Sequence, residues 1–228
     1  MAPKSLLEIN NLQFYWSKLD DFLIKIDNFV INKKEKVLIL GESGCGKSTL
    51  LNLIGGILLP NQGKIFIDGD IISSLSPSSM DKYRAEHIGV IFQQFYLLDF
   101  ISPLNNILLP CYFTNFKKKN YNFFLDRTYE LADRLNLSRE ILNKNNSIDI
   151  SVGQRQRISI LRAIINMPKI ILADEPTSSL DKKNQNSFLE MLFEVCKSEN
   201  ISLLMVSHDE RLKNKFDKTI NFRNLAVQ

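Results

Sequence analysis

The run KVLILGESGCGKSTLLNLI, residues 36–54, constrains this chain more than any other stretch. An apolar pentad, Lys36 to Leu40, leads straight into glycine, and a helix-forming segment from Ser48 to Ile54 follows. The expected local order is buried strand, tight turn, helix. Between the two, Gly41-Glu42-Ser43-Gly44-Cys45-Gly46-Lys47-Ser48 fits the pattern GxxxxGK[ST]. Glycines are needed there because the backbone must fold tightly and aim several N–H groups at oxygens. The helix that follows turns its positive end toward the same anion. Such a unit serves phosphate. Lys47 would reach the β- and γ-phosphates of a nucleotide, Ser48 would offer a hydroxyl to Mg²⁺, and Thr49 is counted with the loop as nucleotide-binding.

The rest of the chain fits an α/β protein built around that unit. Ile65–Ile67, bounded by Gly63 and Asp68-Gly69, reads as an edge strand beside a turn. Further buried strands are expected at Ile88–Phe92, Lys169–Ala173 and Ile201–Val206, with a helix over Asp181–Ser198 that repeats Phe188, Leu189, Leu192, Phe193 and Cys196 at helical spacing. Alternating strands and helices predict a mostly parallel sheet with right-handed crossovers. From about Phe95 to Asn166 no strand is evident. Phe124, Leu125, Thr128, Leu131, Ala132 and Leu135 mark an amphipathic helix, and Arg155–Asn166 reads as another, stopped before Pro168. The expectation is one domain over residues 1–228, with a core of 1–93 and 167–228 and a helical subdomain at about 94–166.

At 228 residues with 44% hydrophobic content, one α/β domain can bury a sizeable core. The net charge of +4 is too small to argue for nucleic acid. The run Lys117-Lys118-Lys119 reads as a solvated face, with anionic lipid as the alternative. No apolar run approaches the roughly 20 residues of a bilayer span. The start, MAPKSLLEINN, lacks the apolar core of a signal peptide, so the chain is expected in the cytoplasm, with membrane work passing through a partner. Cys45, Cys111 and Cys196 form no metal pattern and suit a reducing compartment. Cys45 lies inside the phosphate loop and reads as a small space-filler there. The helix terminus and Lys47 should lower its thiol pKa.

Two carboxylates, Asp174 and Glu175, end the strand KIILA. Carboxylates delivered by a buried strand are costly unless used, and ligands of open α/β sheets sit at that end. Asp174 would hold Mg²⁺ or its waters, and Glu175 would orient or deprotonate an attacking water. His208 follows ISLLMVS at the same edge, where it could contact the γ-phosphate or steady Glu175. His87 has no such context and reads as structural. Gln93, after IGVIF, could ligate Mg²⁺, position water and report phosphate state to the helical segment; strand register favours it over Gln94.

The phosphate loop and the run SVGQRQRISILRAIINMPKIILADEPTSSLD, residues 151–181, together resemble the ATP-binding cassette (ABC) ATPases over nearly the whole chain. The resemblance implies a P-loop NTPase of RecA-like architecture with an N-terminal antiparallel β part. It also implies two copies sandwiching two ATP and two Mg²⁺, with Ser151, Gly153 and Gln154 of one copy capping the γ-phosphate held by the other. These three residues are expected just before a helix. Ser178-Ser179-Leu180-Asp181 resembles the family's D-loop, and Asp181 is counted among the nucleotide contacts. Ser207-His208-Asp209 resembles its switch-histidine segment. An aromatic residue upstream of the loop stacks on adenine in such proteins. Phe14, Tyr15 and Trp16 are the choices, and Trp16 matches best.

Val152 departs from the usual second glycine, Ile150 from leucine, and Leu161 and Ser179 from alanine. Valine resists positive φ and adds bulk near the γ-phosphate. SVGQ, together with IFQQFYLLDFISPLNNILLP, resembles the macrolide-export and lipoprotein-release subgroup. Its permeases carry few transmembrane helices and a large extracytoplasmic domain. An ATPase subunit of an ABC transporter is therefore expected, peripheral on the inner face of the membrane and powering export or extraction. The helical segment around Phe95–Pro110 would dock its permease. A regulatory cassette of the cell-division type, which moves no solute, shares every catalytic residue. A soluble cassette acting on DNA or ribosomes would need coiled-coil insertions, a second cassette or a basic stripe, none of which the sequence carries.

Overall fold

The computed structural model describes residues 4–17, 23–114 and 121–226. The lysine run at 117–119 lies outside the described residues. Five parallel strands form the central sheet: β3 (Lys36–Leu40), β6 (Ile88–Ile91), β7 (Ile170–Asp174), β8 (Ser202–Ser207) and β9 (Lys218–Asn221), in the order β6-β7-β8-β3-β9. Except in the edge strand β9, their apolar content is continuous because both faces are covered. Side chains alternate across the sheet. Leu38 and Leu40 of β3, Leu203 and Met205 of β8, and Ile171 and Ala173 of β7 enter one core. Val37, Ile39, Leu204, Val206, Ile170 and Leu172 enter the other.

The second core is closed by a four-stranded antiparallel sheet of order β2-β1-β4-β5. Its strands are β1 (Ser5–Phe14), β2 (Ile24–Asn32), β4 (Gln62–Ile67) and β5 (Asp70–Ile71). The sequence reading placed residues 65–67 at a sheet edge. Instead β4 lies between β1 and the two-residue β5, because Asp68 and Gly69, with φ of 52° and 91°, form a two-residue hairpin turn. A two-residue loop with positive φ at both positions is the favoured hairpin connection. Asp68 then joins the two sheets, with Lys33 Nζ at 2.6 Å and Lys169 Nζ at 2.9 Å.

Helix α1 (Lys47–Ile54) follows the phosphate loop, and its cap, Gly46, sits at φ 105°, a conformation that a side chain would strain. Between α2 (Pro77–His87) with β6 and the return to β7 lies a helical insert: α3 (Pro103–Leu108), α4 (Tyr121–Arg134), α5 (Arg139–Leu142) and α6 (Val152–Ile164). Phe124, Thr128, Leu131 and Ala132 form the buried stripe of α4, as their spacing predicts. Helix α6 begins three residues earlier than the Arg155 expected from sequence. It packs directly on β6: a Cβ on Gly89 would meet the Ala163 carbonyl oxygen at 2.3 Å. Helix α7 (Lys182–Glu199) buries Phe188, Leu189, Leu192 and Cys196 against the first core, and α8 (Phe222–Leu225) follows β9. Among the described residues no helix is long and apolar enough to cross a membrane.

Candidate functional site

The phosphate loop, the end of β7, the turn after β6 and the segment after β1 meet around a cavity of about 610 Å³. Its lining comprises Ser43, Gly44, Gly46, Lys47, Ser48 and Thr49 from the loop, Asp174 and Glu175 from β7, Gln93, and Trp16. Gln94 is not in the lining. The position is that of a ligand outside the carboxyl ends of parallel strands. The three aromatics at the end of β1 and just beyond it divide by environment. Phe14 is buried, Tyr15 donates its N–H to Asn61 Oδ1 at 2.8 Å, and Trp16 is 59% exposed with its ring edge-on to Phe14 at 5.1 Å.

Lys47 is almost fully buried, and its ammonium donates to the carbonyls of Gly41 and Glu42 at 2.8 Å each. It lies 3.3 Å from Glu175 Oε1. The other carboxylate oxygen, Oε2, is 2.7 Å from Nδ1 of His208. An ionised carboxylate only accepts, so Nδ1 carries the hydrogen. Glu175 itself adopts φ 42°, rare for a residue with a side chain, and its N–H is tied to the Val206 carbonyl across the sheet. One glutamate thus joins the phosphate-loop lysine to the histidine after β8. His87, by contrast, is half-buried against the Tyr83 ring, 4.4 Å between centroids, and burial lowers its pKa.

Burial raises the Asp174 carboxyl above its ordinary pKa, the neighbouring Glu175 adds to this, and the Ser48 hydroxyl and Lys47 oppose it. Two adjoining carboxyl groups, a hydroxyl and the Gln93 amide face one cavity. These are hard oxygen donors, and their chemistry fits Mg²⁺ shared with a nucleotide phosphate. Among the described residues no three His, Cys, Asp or Glu side chains make a metal site by themselves. Magnesium usually takes one or two carboxylates plus substrate phosphates, so the donor set agrees with that mode.

Within the loop, the Glu42 carboxylate pairs with Arg223 at 3.0 Å. Cys45 packs inward: an ideal Cβ on Gly41 would come 2.7 Å from its Sγ. Cys45 also borders the second core, in keeping with a space-filling role.

Ser151, Gly153 and Gln154 are not in the cavity of their own chain. Ser151 immediately precedes α6, whereas Gly153 and Gln154 lie within its first turn. Ser151 is the N-cap, its hydroxyl accepts from the Gln154 N–H, and the Gln154 side chain accepts from the Ser151 N–H. This capping box was legible as Ser-x-x-Gln and explains the early helix start. Val152 is therefore helical, not at positive φ, and its side chain is 57% exposed. Asp181 is likewise outside the cavity; its carboxylate caps α7 by accepting from the Asn184 N–H at 2.9 Å.

Several supporting side chains have no motif of their own. Arg162 of α6, nearly buried, donates to the carbonyls of Phe95 and Tyr96, the latter at 2.7 Å. Both residues are at positive φ, two and three positions beyond Gln93. Arg155 binds Asp99 at 3.0 Å and the Ser147 carbonyl at 2.9 Å, fastening the approach to Ser151. Gln185 of α7 bonds Thr177 and Asp209. A buried polar residue on an apolar helix face was the available signal for Gln185 and Arg162.

Comparison with known proteins agrees with this geometry. Residues 24–178 match the family described as ABC transporter. The lipoprotein-releasing system ATP-binding protein LolD of Buchnera aphidicola subsp. Schizaphis graminum is 37% identical over 98% of this chain and 96% of its own length. The macrolide export ATP-binding/permease protein MacB of Escherichia coli is 36% identical over 92% of this chain, which spans 32% of that longer protein. Among solved structures, the dimeric ATP-binding cassette MJ0796, in a post-hydrolysis state with ADP and phosphate, is 31% identical, with a TM-score of 0.77 over 95% of this chain and 94% of that one. The family match spans the phosphate loop and the carboxylate pair, and this chain belongs to the ABC transporter family as an ATP-hydrolysing subunit.

Proposed function

We propose that two copies of this chain clamp two ATP molecules and drive a separate membrane permease that exports or extracts its cargo. The observation that carries the reading is the meeting of Lys47 and Glu175 in the cavity at the phosphate loop, with His208 hydrogen-bonded to Glu175 from outside the lining. Lys47 binds the β- and γ-phosphates, exchanging its carbonyl partners for phosphate oxygens. Glu175 accepts the proton of the attacking water, and His208 keeps its carboxylate aimed. Ser48, Asp174 and Gln93 would hold Mg²⁺, which would supply positive charge against that developing on the transferred phosphate. Trp16 stacks on the adenine.

The exposed first turn of α6 supports the two-copy arrangement. An N-terminal turn with a positive dipole end suits an anion, and its own chain's phosphate loop is elsewhere. Ser151, Gly153 and Gln154 then cap the γ-phosphate of the second copy, and Asp181 lies in the segment that couples the two sites. MJ0796 is described as a dimer, which favours the same assembly here.

The helical insert, taken with the core as one domain, offers the permease a docking groove. A cavity of about 420 Å³ lies between α2, β6, α6 and the turn after α3, lined by Phe92, Leu109, Pro110 and Phe113 among others. Phe92 adjoins Gln93, so occupancy of the groove and phosphate state share one short segment. The lipoprotein-releasing and macrolide-export names favour a cargo that is released or exported, and we take the permease to be few-spanning, with this chain on the inner face of its membrane. Co-purification with the permease, followed by ATPase assay with and without it in lipid, tests the reading. Turnover that ignores both permease and cargo would refute it.

A further inference from the structure

Glu175 and His208 sit on different loops, one after β7 and one after β8. Strand pairing stops at Asp174 opposite Val206. His208 is half exposed, so packing alone does not hold its ring against Glu175. A second link between the loops runs behind them. Gln185, on α7, is 6% exposed, and its Nε2 donates to Thr177 Oγ1 at 3.3 Å and to Asp209 Oδ2 at 3.0 Å. Thr177 lies two residues after Glu175, and Asp209 immediately follows His208.

We propose that Gln185 is a positioning residue that holds the Glu175 and His208 loops at hydrogen-bond distance from each other. Its amide has two hydrogens, and each loop takes one. The post that carries it is rigid. Helix α7 buries Phe188, Leu189 and Leu192 in the core immediately beyond Gln185. Both acceptors are themselves fixed. Thr177 is 2% exposed, and its carbonyl accepts from the Leu180 N–H. Asp209 receives Arg211 Nε and Nη2 at 2.8 Å each, and its own N–H donates to Ser207 Oγ at 3.0 Å. The Arg211 guanidinium, with Gln185 assisting, holds the Asp209 carboxyl far below the usual range, so it stays an acceptor at working pH. Glu175 needs such support because its backbone is at positive φ. Gln185 is not in the lining of the phosphate-loop cavity, so the effect of its side chain on the reacting groups passes through Thr177 and Asp209.

This inference rests on the reading of Glu175 as proton acceptor, and the test separates the two. Steady-state ATPase is measured on the purified 228-residue chain for wild type, Gln185→Ala, His208→Ala and the double variant, with thermal melting in parallel. Gln185→Ala should lower kcat about tenfold, the scale of a misaligned catalytic group, with KM for ATP within about twofold of wild type. In the His208→Ala background the same change should cost nothing more, because the contact it aligns is gone. Equal fold-losses in both backgrounds, or wild-type kcat in Gln185→Ala, would overturn the proposal. If the alanine variant does not fold, Gln185→Glu keeps the volume but removes both donors, and wild-type kcat there overturns it as well. Wild-type turnover in Glu175→Gln would remove the proton-acceptor reading and this inference with it. An inactive Glu175→Gln beside additive losses removes this inference alone.

Discussion

Nδ1 of His208 and Oε2 of Glu175 stand 2.7 Å apart, although 33 residues separate them in the chain. The contact exists because β7 and β8 are neighbouring parallel strands whose ends carry the two loops to one edge. Its chemical consequence is a carboxylate with one oxygen committed to an imidazole N–H and the other facing Lys47. A proton acceptor held this way cannot rotate out of line, which is the condition for base catalysis.

Glu175→Gln should therefore keep ATP binding and lose turnover by about 10²–10⁴-fold, the usual worth of a positioned acid or base. Its carboxamide keeps the shape but not the basicity. With ATP and magnesium the variant should remain a stable dimer by light scattering. A variant that binds nucleotide yet stays monomeric would remove the two-copy reading.

Trp16 is the chain's single tryptophan and lines the phosphate cavity. Its fluorescence should change on nucleotide addition without any introduced label. Trp16→Ala should weaken ATP binding by about 1–3 kcal/mol, the measured worth of a base stacked on an aromatic ring. Calorimetry on both proteins checks it. An unchanged Kd would return adenine stacking to Tyr15 or to no aromatic residue.

Cys45 is half-buried in the loop, whereas Cys111 and Cys196 are buried to 2% exposure or less. Limited alkylation should label Cys45 first and abolish ATPase activity, since its sulfur packs against Gly41 and the second core, where added bulk must shift the loop. Bound ATP should protect. Full activity after complete labelling of Cys45, verified by mass spectrometry, would contradict the packing argument.

Asp68 carries the clearest pH signature. Hydrogen bonds from Lys33 and Lys169 lower its pKa to about 2, against a partial desolvation penalty. A carboxyl with a depressed folded pKa adds stability above its unfolded value, near 4, and loses it as pH falls toward about 2. After solvent screening the contribution is on the order of 1 kcal/mol. Asp68→Asn suits the same positive-φ turn and removes the charge together with one of the two acceptor oxygens that the lysines share. It should melt lower than wild type at pH 7 and equally at pH 2. Equal melting at both would show that the pair adds nothing.

Ser151→Ala removes the hydroxyl that caps α6 and should cost about 1 kcal/mol of stability. If the same turn caps the γ-phosphate of a second copy, nucleotide-dependent dimerisation should weaken further. Loss of stability with unchanged dimerisation would confine Ser151 to its helix.

The phosphate loop, the carboxylate pair and the Ser-His-Asp segment could be read directly because each places its chemistry on contiguous residues. A glycine turn needs its glycines at fixed spacing, and a strand end presents whatever residues come last. Four of the five strands of the parallel sheet, β3, β6, β7 and β8, were equally plain, since covering both faces leaves an unbroken apolar run. Where the reading slipped, a neighbour's contribution was invisible. Nothing in residues 65–67 shows that Asp68 and Gly69 fold a further strand onto their outer side. The start of α6 is written in the signature residues themselves, since Ser151 and Gln154 stand at capping-box spacing and set the helix three residues before Arg155.

Other relationships are decided by distance in space. Arg162 reaches the turn after Gln93 across 66 residues, Gln185 reaches Asp209 across 24, and Arg223 reaches Glu42 across 181. Local pattern has no access to such pairs, because their energy comes from burial that exists once sheet and helices have packed. Trp16 emerges as the cavity's aromatic for the same reason: β1 ends at Phe14, which the core absorbs, and the chain then carries Trp16 over the phosphate loop. Residue chemistry is written locally, but the aim of each side chain is set by what packs behind it.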